Sequence, residues 1–498
     1  MKLTENEKER IRHFLNEKNL PQNHAVTYSD VTLPDLYSDV RSRSNIKDFS
    51  TSLTEDIELG IPLISANMES VSGADMIVAM ERNGGLGIPF QGLPLRERLD
   101  ILERVRRADC TLIHDPVTVP RNTKLNNARD RMEEYGIGCL IVVNDSNHPV
   151  GILSKRDWFY EPDQSRPIEE LMSEDPFTIP MKDALDFESM RNLIREKKIE
   201  KLPVVDEDGT LAGLITARGL FYERHHPRAM RDQHGQFLRI GSIGVGQTFR
   251  DDHLHALEQQ VEAGITALLI DTARANSVNA QEVVEGVRES YPDLTLIAGN
   301  VSTPAGVKML CSAGVDIVKV GVGPGHACTT RKTGVGVPQL TAVAKCAAIA
   351  EKFDASIIAD GGVESAGDVA KALVAGADAI MAGFLFARTH EAAAREKKKY
   401  VEELDMEITV KAYRGSASIE AQRERKQRGD LDRTRRPEGI ERHVPVVGSV
   451  DEVIEELLGG LRSCMSYLGV RTARELQKKG KFIMQTGAGH AEGVDVHS

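Results

Sequence analysis

Cysteine is sparse and unpaired in this 498-residue chain: Cys110, Cys139, Cys311, Cys328, Cys346 and Cys464 are scattered with no CxxC spacing. That excludes a disulfide scaffold and a cysteine-based zinc site, and six free thiols are expected. A basic excess is missing as well. With 63 Lys and Arg against 75 Asp and Glu, the formal net charge is -12, so no positive field gathers nucleic acid or anionic lipid. No run approaches the roughly 20 apolar residues of a membrane span. The opening "MKLTENEKERIRHFLNEKNL" is polar where a signal peptide needs an apolar stretch. The expectation is a cytoplasmic protein with neither nucleic acid nor membrane as partner.

What is present suits a soluble protein larger than one compact unit: 41% hydrophobic and 28% charged residues. An internal repeat gives the first boundary. "DPVTVPRNTKLNNARDRMEEYGIGCLIVVNDSNHPVGILSKRDW" begins at Asp115, and "DPFTIPMKDALDFESMRNLIREKKIEKLPVVDEDGTLAGLITARGL" begins at Asp175. Each copy reads extended segment, amphipathic helix, apolar strand, turn, strand, helix start. Twins of this kind bury their apolar faces against each other.

From about Gly241 the pattern changes to short apolar runs alternating with amphipathic helices: "ALLIDTA", "LTLIAGNV", "VDIVKVGVGPG", "ASIIADGG" and "ADAIMAG". Such runs suit parallel strands buried on both faces. They end in Asp271, Asn300, Gly321 with Gly323, Asp360 with Gly361 and Gly362, and Gly383. A (β/α)8 barrel carries its chemistry at those carboxyl ends, whereas an open doubly wound sheet would advertise one phosphate loop. "IELGIPLISANM" (Ile57 to Met68) has the same form, which starts the barrel before the repeat. The expected architecture is a TIM barrel interrupted by the repeat: 1–109, then 110–227 (about 110–170 and 171–227), then 228–498.

Within the last part, "GVGPGHACTTRKTGVGVPQ" (321–339) sets Cys328 among glycines and hydroxyls, with Thr329, Thr330 and Arg331 following. Glycine-rich backbone approaches a ligand closely. A thiol is the strongest neutral-pH nucleophile among side chains, and a nearby cation favours its thiolate. An isolated cysteine is more often a buried structural residue; the place of Cys328 at a barrel's active end favours a reaction centre.

"GVGPGHACTTRKTGVGVPQ", "IADGGVESAGDVAKALVAGADAIMAG", "YRGSAS" and "GGLRSCMSYLG" closely resemble the IMP dehydrogenase and GMP reductase family, over nearly the whole chain. The repeat resembles a tandem of CBS domains, modules that bind adenine or guanine nucleotides. There "SKRD" (Ser154 to Asp157) fits the ribose-holding pattern, and "TARG" (Thr216 to Gly219) has glycine in the acidic place. A folded spacer is the plainer reading of the pair. The family resemblance implies that Cys328 attacks C2 of a purine nucleoside monophosphate while NADPH or NAD exchanges hydride there. It implies Asp360 on the ribose hydroxyls, Gly362, Gly383 and Tyr413 around the 5'-phosphate, Gly415 among the substrate-binding residues, and Met68 near the base. Asp271 and Asn300, with Gly321 and Gly323, match the nicotinamide end and the reacting purine, where structural roles compete. Carbonyls of Gly323, Gly325 and Cys328 are candidate K+ ligands, and a homotetramer or octamer is implied. No Rossmann-type fingerprint separates NADPH from NADH.

Several positions depart from the family pattern. His326 and Phe384 stand where two serines usually contact the phosphate, and the loop after Arg331 is one residue shorter. In the flap-like segment (413–445), Arg428 aligns with the water-activating arginine of dehydrogenases, but Gly429 replaces its tyrosine. Thr330 and Glu438 fit the proton-moving pair of reductases, though dehydrogenases often keep both. "ANM" at Ala66 to Met68 and "GSAS" at Gly415 to Ser418 lean towards a reductase; the CBS-like pair and "TGAGHAEGVDVH" lean towards a dehydrogenase. The expectation is NADPH-dependent reduction of GMP to IMP and ammonia. The alternatives are NAD-dependent oxidation of IMP to XMP and a nucleotide-sensing scaffold without catalysis.

Overall fold

The computed structural model describes residues 1–108, 111–232, 236–246, 251–401, 406–415 and 439–493. Eight strands form one parallel sheet: β1 (Leu63–Ser65), β2 (Leu86–Gly87), β3 (Ile240–Gly244), β4 (Ala267–Asp271), β5 (Thr295–Val301), β6 (Ile317–Val320), β7 (Ser356–Asp360) and β8 (Ala379–Ala382). They run β3-β4-β5-β6-β7-β8-β1-β2, each parallel to the next. Helices follow them in the order a (β/α)8 barrel requires, among them Ala74–Arg82, Val278–Ser290, Pro304–Ser312, Gln339–Ala350 and Ala366–Val374.

Alternation along each strand sorts side chains into two buried layers. Ile64, Leu86, Ile240, Leu269, Ile297, Ile317, Ile358 and Met381 meet inside the barrel. Their neighbours Leu63, Leu268, Ile270, Leu296, Val318, Ile357 and Ile380 pack outwards beneath the helices. The expected first strand is shorter than its apolar run, because Glu58–Leu59 pair with Thr51–Ser52 in a separate ribbon and only Leu63–Ser65 enter the barrel.

The N-terminal helix Glu5–Glu17 starts with a Thr4 capping box. It is fastened by Glu7, whose buried carboxylate lies 2.8 Å from Lys352 Nζ and 2.9 Å from Lys308 Nζ.

Two compact units divide the chain. One comprises Met1–Val105, Arg228–Met230 and Leu238–Ser498, and the other Arg106–Pro227 with Arg231–Phe237. The second holds two four-stranded sheets. One joins Thr118–Pro120, Cys139–Val143, Pro149–Ser154 and Ser173–Glu174; the other joins Leu112–Ile113, Ile179–Pro180, Lys201–Val205 and Leu211–Thr216. The short strand leading into each repeat thus pairs in its twin's sheet. Each sheet has its own apolar cluster, built on Leu140, Val142 and Leu153 in one and on Leu202, Val204 and Ile215 in the other.

Candidate active site

The carboxyl ends of β4 to β8 bring the sequence-selected residues into one neighbourhood. Asp360, at the end of β7, accepts Asn300 Nδ2 at 2.8 Å and Lys319 Nζ at 2.7 Å, both on Oδ2. Asn300 also donates to the Gly321 carbonyl at 2.7 Å, and Asp271 Oδ1 lies 3.0 Å from the same Lys319 ammonium. Asp271, Asn300, Gly321 and Asp360 are therefore one hydrogen-bonded group rather than separate turn residues. Burial works to lower the Lys319 pKa, but Asp271 and Asp360 outweigh it and hold the ammonium above its usual value.

The cysteine loop leaves the barrel at Gly321 and returns at Gln339, whose buried amide donates to the carbonyls of Val320 (2.8 Å) and Asp360 (3.2 Å). Both ends of the loop are thereby tied to strands β6 and β7. After Asp360, Gly361 and Gly362 adopt φ of +88° and +79°, a left-handed pair that glycine accommodates readily. A Cβ on either would come within 3.3 Å of Pro324, so this turn lies directly against the cysteine loop.

Among the described thiols Cys328 alone is exposed. Burial pushes Cys311 up to about 12 and Cys464 up to about 11, and raises Cys139 and Cys346 too; those four are poor nucleophiles. Cys328 Sγ lies 3.1 Å from Thr330 Oγ1. Arg331, the cation that the sequence places nearby, instead donates to the Val337 carbonyl at 2.9 Å. It braces the loop, and Gly323 (φ +84°) makes room for its side chain.

Around Gly383, a Cβ would stand 2.7 Å from Tyr413 Oη and 3.1 Å from Met68 Sδ, so these three sequence-selected residues converge. Burial, then the charges of Asp360 and Cys328, push the Tyr413 phenol pKa up, which keeps it a hydroxyl donor at neutral pH. His326 and Phe384, the two departures, form one stack with ring centroids 4.5 Å apart and 15° between planes. His326 Nε2 lies 2.9 Å from Glu364 Oε1. Two small hydroxyl residues are thus replaced by a matched aromatic pair. Gly415 donates to Ile440 O, and Ile440 donates to Ala327 O, while Cys328 pairs with Gly439. Arg428, Gly429 and Glu438 lie outside the described residues.

Residues 25–497 match the model for the IMP dehydrogenase / GMP reductase domain. The chain belongs to that family. An inosine-5'-monophosphate dehydrogenase from Aquifex aeolicus is 40% identical over 476 residues, 94% of each chain. One from Halalkalibacterium halodurans is 38% identical over 95% of each. Among solved structures, a cysteine-to-alanine variant of Trypanosoma brucei GMP reductase in complex with guanosine 5'-monophosphate superposes with a TM-score of 0.86 at 32% identity. That match covers 97% of this chain and 99% of that one. The chain is an oxidoreductase of this family, whose members are divided by name between sequence relatives and structural neighbours.

Two members of this candidate site were missed in the sequence. Lys319 is the one charge inside "IVKVGVG", and a lysine at an inward position of a buried strand is itself a signal that partners wait for it. Gln339 closes the cysteine loop with no sequence cue beyond following Pro338.

Proposed function

We propose that this protein carries out redox chemistry at C2 of a purine nucleoside monophosphate through Cys328, in the reductive direction, converting GMP to IMP and ammonia. The observation that carries the reading is the exposed Cys328 thiol 3.1 Å from Thr330, on a loop tied to the Asp360 strand end. The Cys328 thiolate adds to C2 of GMP. Thr330, with Glu438 as its partner, passes a proton to the departing amine; collapse breaks the C2–N bond and leaves a thioimidate. A reduced nicotinamide dinucleotide, NADPH in this reading, supplies the hydride when bound. Cys328 then leaves as thiolate. Proton transfer of this kind is worth about 10² to 10⁴ in rate, and Thr330→Ala is expected to lose that much.

Asp360 keeps Oδ1 without a protein partner among the described residues, an acceptor for ribose hydroxyls. Gly362, Gly383 and Tyr413 surround the phosphate, with Gly415 among the substrate-binding residues, Met68 on the base and His326 replacing a serine hydroxyl. Asn300 Oδ1 is buried and takes no hydrogen bond. That orphaned acceptor, with Asp271, Gly321 and Gly323, suits the nicotinamide end, which carries N–H donors. K+ would be held by carbonyls of Gly323, Gly325 and Cys328, sharing the Gly325 oxygen that already accepts Cys328 N–H at 3.0 Å.

Gly429 in place of the water-activating tyrosine beside Arg428, "ANM" and "GSAS" support reduction, as does the likeness to GMP reductase structures. The names of the sequence relatives favour the second reading, NAD-dependent oxidation of IMP to XMP. In the inserted unit we place a CBS pair with one adenine or guanine nucleotide site at Ser154 and Asp157. The assembly is a homotetramer or an octamer, in the cytoplasm. Incubation with GMP plus NADPH, and separately with IMP plus NAD, is followed at the nicotinamide absorbance band. Loss of NADPH supports reduction; NADH formation from IMP with no GMP turnover establishes the second reading. Silence in both arms overturns both.

A further inference from the structure

The chemistry proposed above uses Asp360 and Asp271 and gives no role to the group between them. Lys319 is inward-facing on β6, with only 3% of its side chain exposed, and its ammonium is shared between Asp360 Oδ2 at 2.7 Å and Asp271 Oδ1 at 3.0 Å. Those carboxylates belong to β7 and to β4, so Lys319 reaches one strand to one side and two strands to the other. The strand crossed, β5, carries Gly299 in register with both Asp271 and Lys319. A Cβ on Gly299 would stand 2.5 Å from Lys319 Cβ and 2.6 Å from its carbonyl oxygen, so glycine there makes room for the lysine.

A buried ammonium is tolerated only when paired, and this one is paired twice. Asp360 Oδ2 also accepts Asn300 Nδ2 at 2.8 Å, which saturates that oxygen. Oδ1 of Asp360 and Oδ2 of Asp271 have no protein partner among the described residues. We infer that Lys319 is a positioning residue that spaces and neutralises the two carboxylates, occupying one oxygen of each and leaving the other to accept from nucleotide and cofactor. This rests on the function proposed above. The charged groups facing Lys319 are Asp271 from β4 and Asp360 from β7, with Asn300 as the neutral partner from β5. Tyr413 is the titratable group that feels the Asp360 charge from the far side, together with that of Cys328.

The test is calorimetric titration of GMP and of IMP, without cofactor, into the full-length wild type, Lys319→Gln, and Lys319→Gln with Asp271→Asn, at pH 6, 7 and 8. Without the cation, two like charges share the site, which disfavours ionising both carboxylates together. Wild-type affinity is expected to stay level. The single variant is expected to bind at least about tenfold more weakly at pH 6 and to recover as pH rises. Removing the Asp271 charge as well lets Asp360 ionise again and restores the level profile. The inference is overturned if Lys319→Gln follows the wild type at every pH, or if both variants lose the same affinity at every pH, as a purely structural lesion would. Should circular dichroism find the single variant unfolded, the double variant decides: a level profile supports the inference, and lost binding overturns it. A wild type that binds neither nucleotide refutes instead the function on which the inference rests.

Discussion

The barrel and the inserted unit handle polar groups in opposite ways. At the barrel mouth, charges from strands far apart in sequence are buried together: Asp271, Lys319 and Asp360 satisfy one another across 89 positions of chain. In the inserted unit the corresponding groups are satisfied locally. Asp157 Oδ2 accepts Ser154 N–H at 2.6 Å and Ser154 Oγ at 2.8 Å, and in the twin Thr216 Oγ1 accepts Gly219 N–H at 2.9 Å. The first arrangement fixes the candidate site. The second caps a helix with a short polar motif, half-buried in one copy and buried in the other, with the carboxylate retained in the first and absent in the second.

Four substitutions or conditions would break or sharpen that contrast. Cys328→Ala is expected to lower turnover by about 10⁴ or more while calorimetric nucleotide affinity stays within a few-fold; normal turnover would end the covalent reading. Asp360→Asn replaces an ionised acceptor by a neutral one, for which about 10- to 100-fold weaker nucleotide binding is expected.

Stability should show the same long-range character at Glu7. Lys352, Lys308 and the Thr4 N–H hold its carboxyl at about 2, below its ordinary 4.5. A group whose folded pKa is depressed adds stability above its unfolded value and loses it as pH falls through the folded one. Denaturant midpoints should therefore drop between pH of about 4.5 and 2, and Glu7→Gln should remove that part of the slope. Smallest of all, Ser154→Ala deletes the hydrogen bond from Ser154 Oγ to Asp157, worth about 1 kcal/mol. Faster amide exchange confined to 154–158, with basal turnover within about twofold, is the expected result.

Much of the barrel was legible because each strand is an apolar run with its polar residue at the end. Asp271, Gly321, Asp360 and Gly383 fall at or just beyond strand termini, and Asn300 one residue before its strand ends. The repeat was legible from its two similar copies, but the exchange of leading strands between them was not, since "LI" at Leu112–Ile113 is too short to predict a partner. Lys319 escaped because a charge in a buried strand announces that partners are needed, and no local pattern says which they are. The bond from Arg331 to the Val337 carbonyl was not legible, because proximity in sequence says nothing about which way a guanidinium reaches.

Sequence alone determined the strand-and-helix alternation and the identity of the one cysteine set in a glycine-rich strand-end loop. Each of these depends on residues within a few positions of one another. Tertiary structure decided which thiol stays exposed, which carboxylate oxygens are already filled, and that His326 and Phe384 stack as one unit. Those outcomes depend on strand register and barrel curvature, which bring together groups that no local window contains.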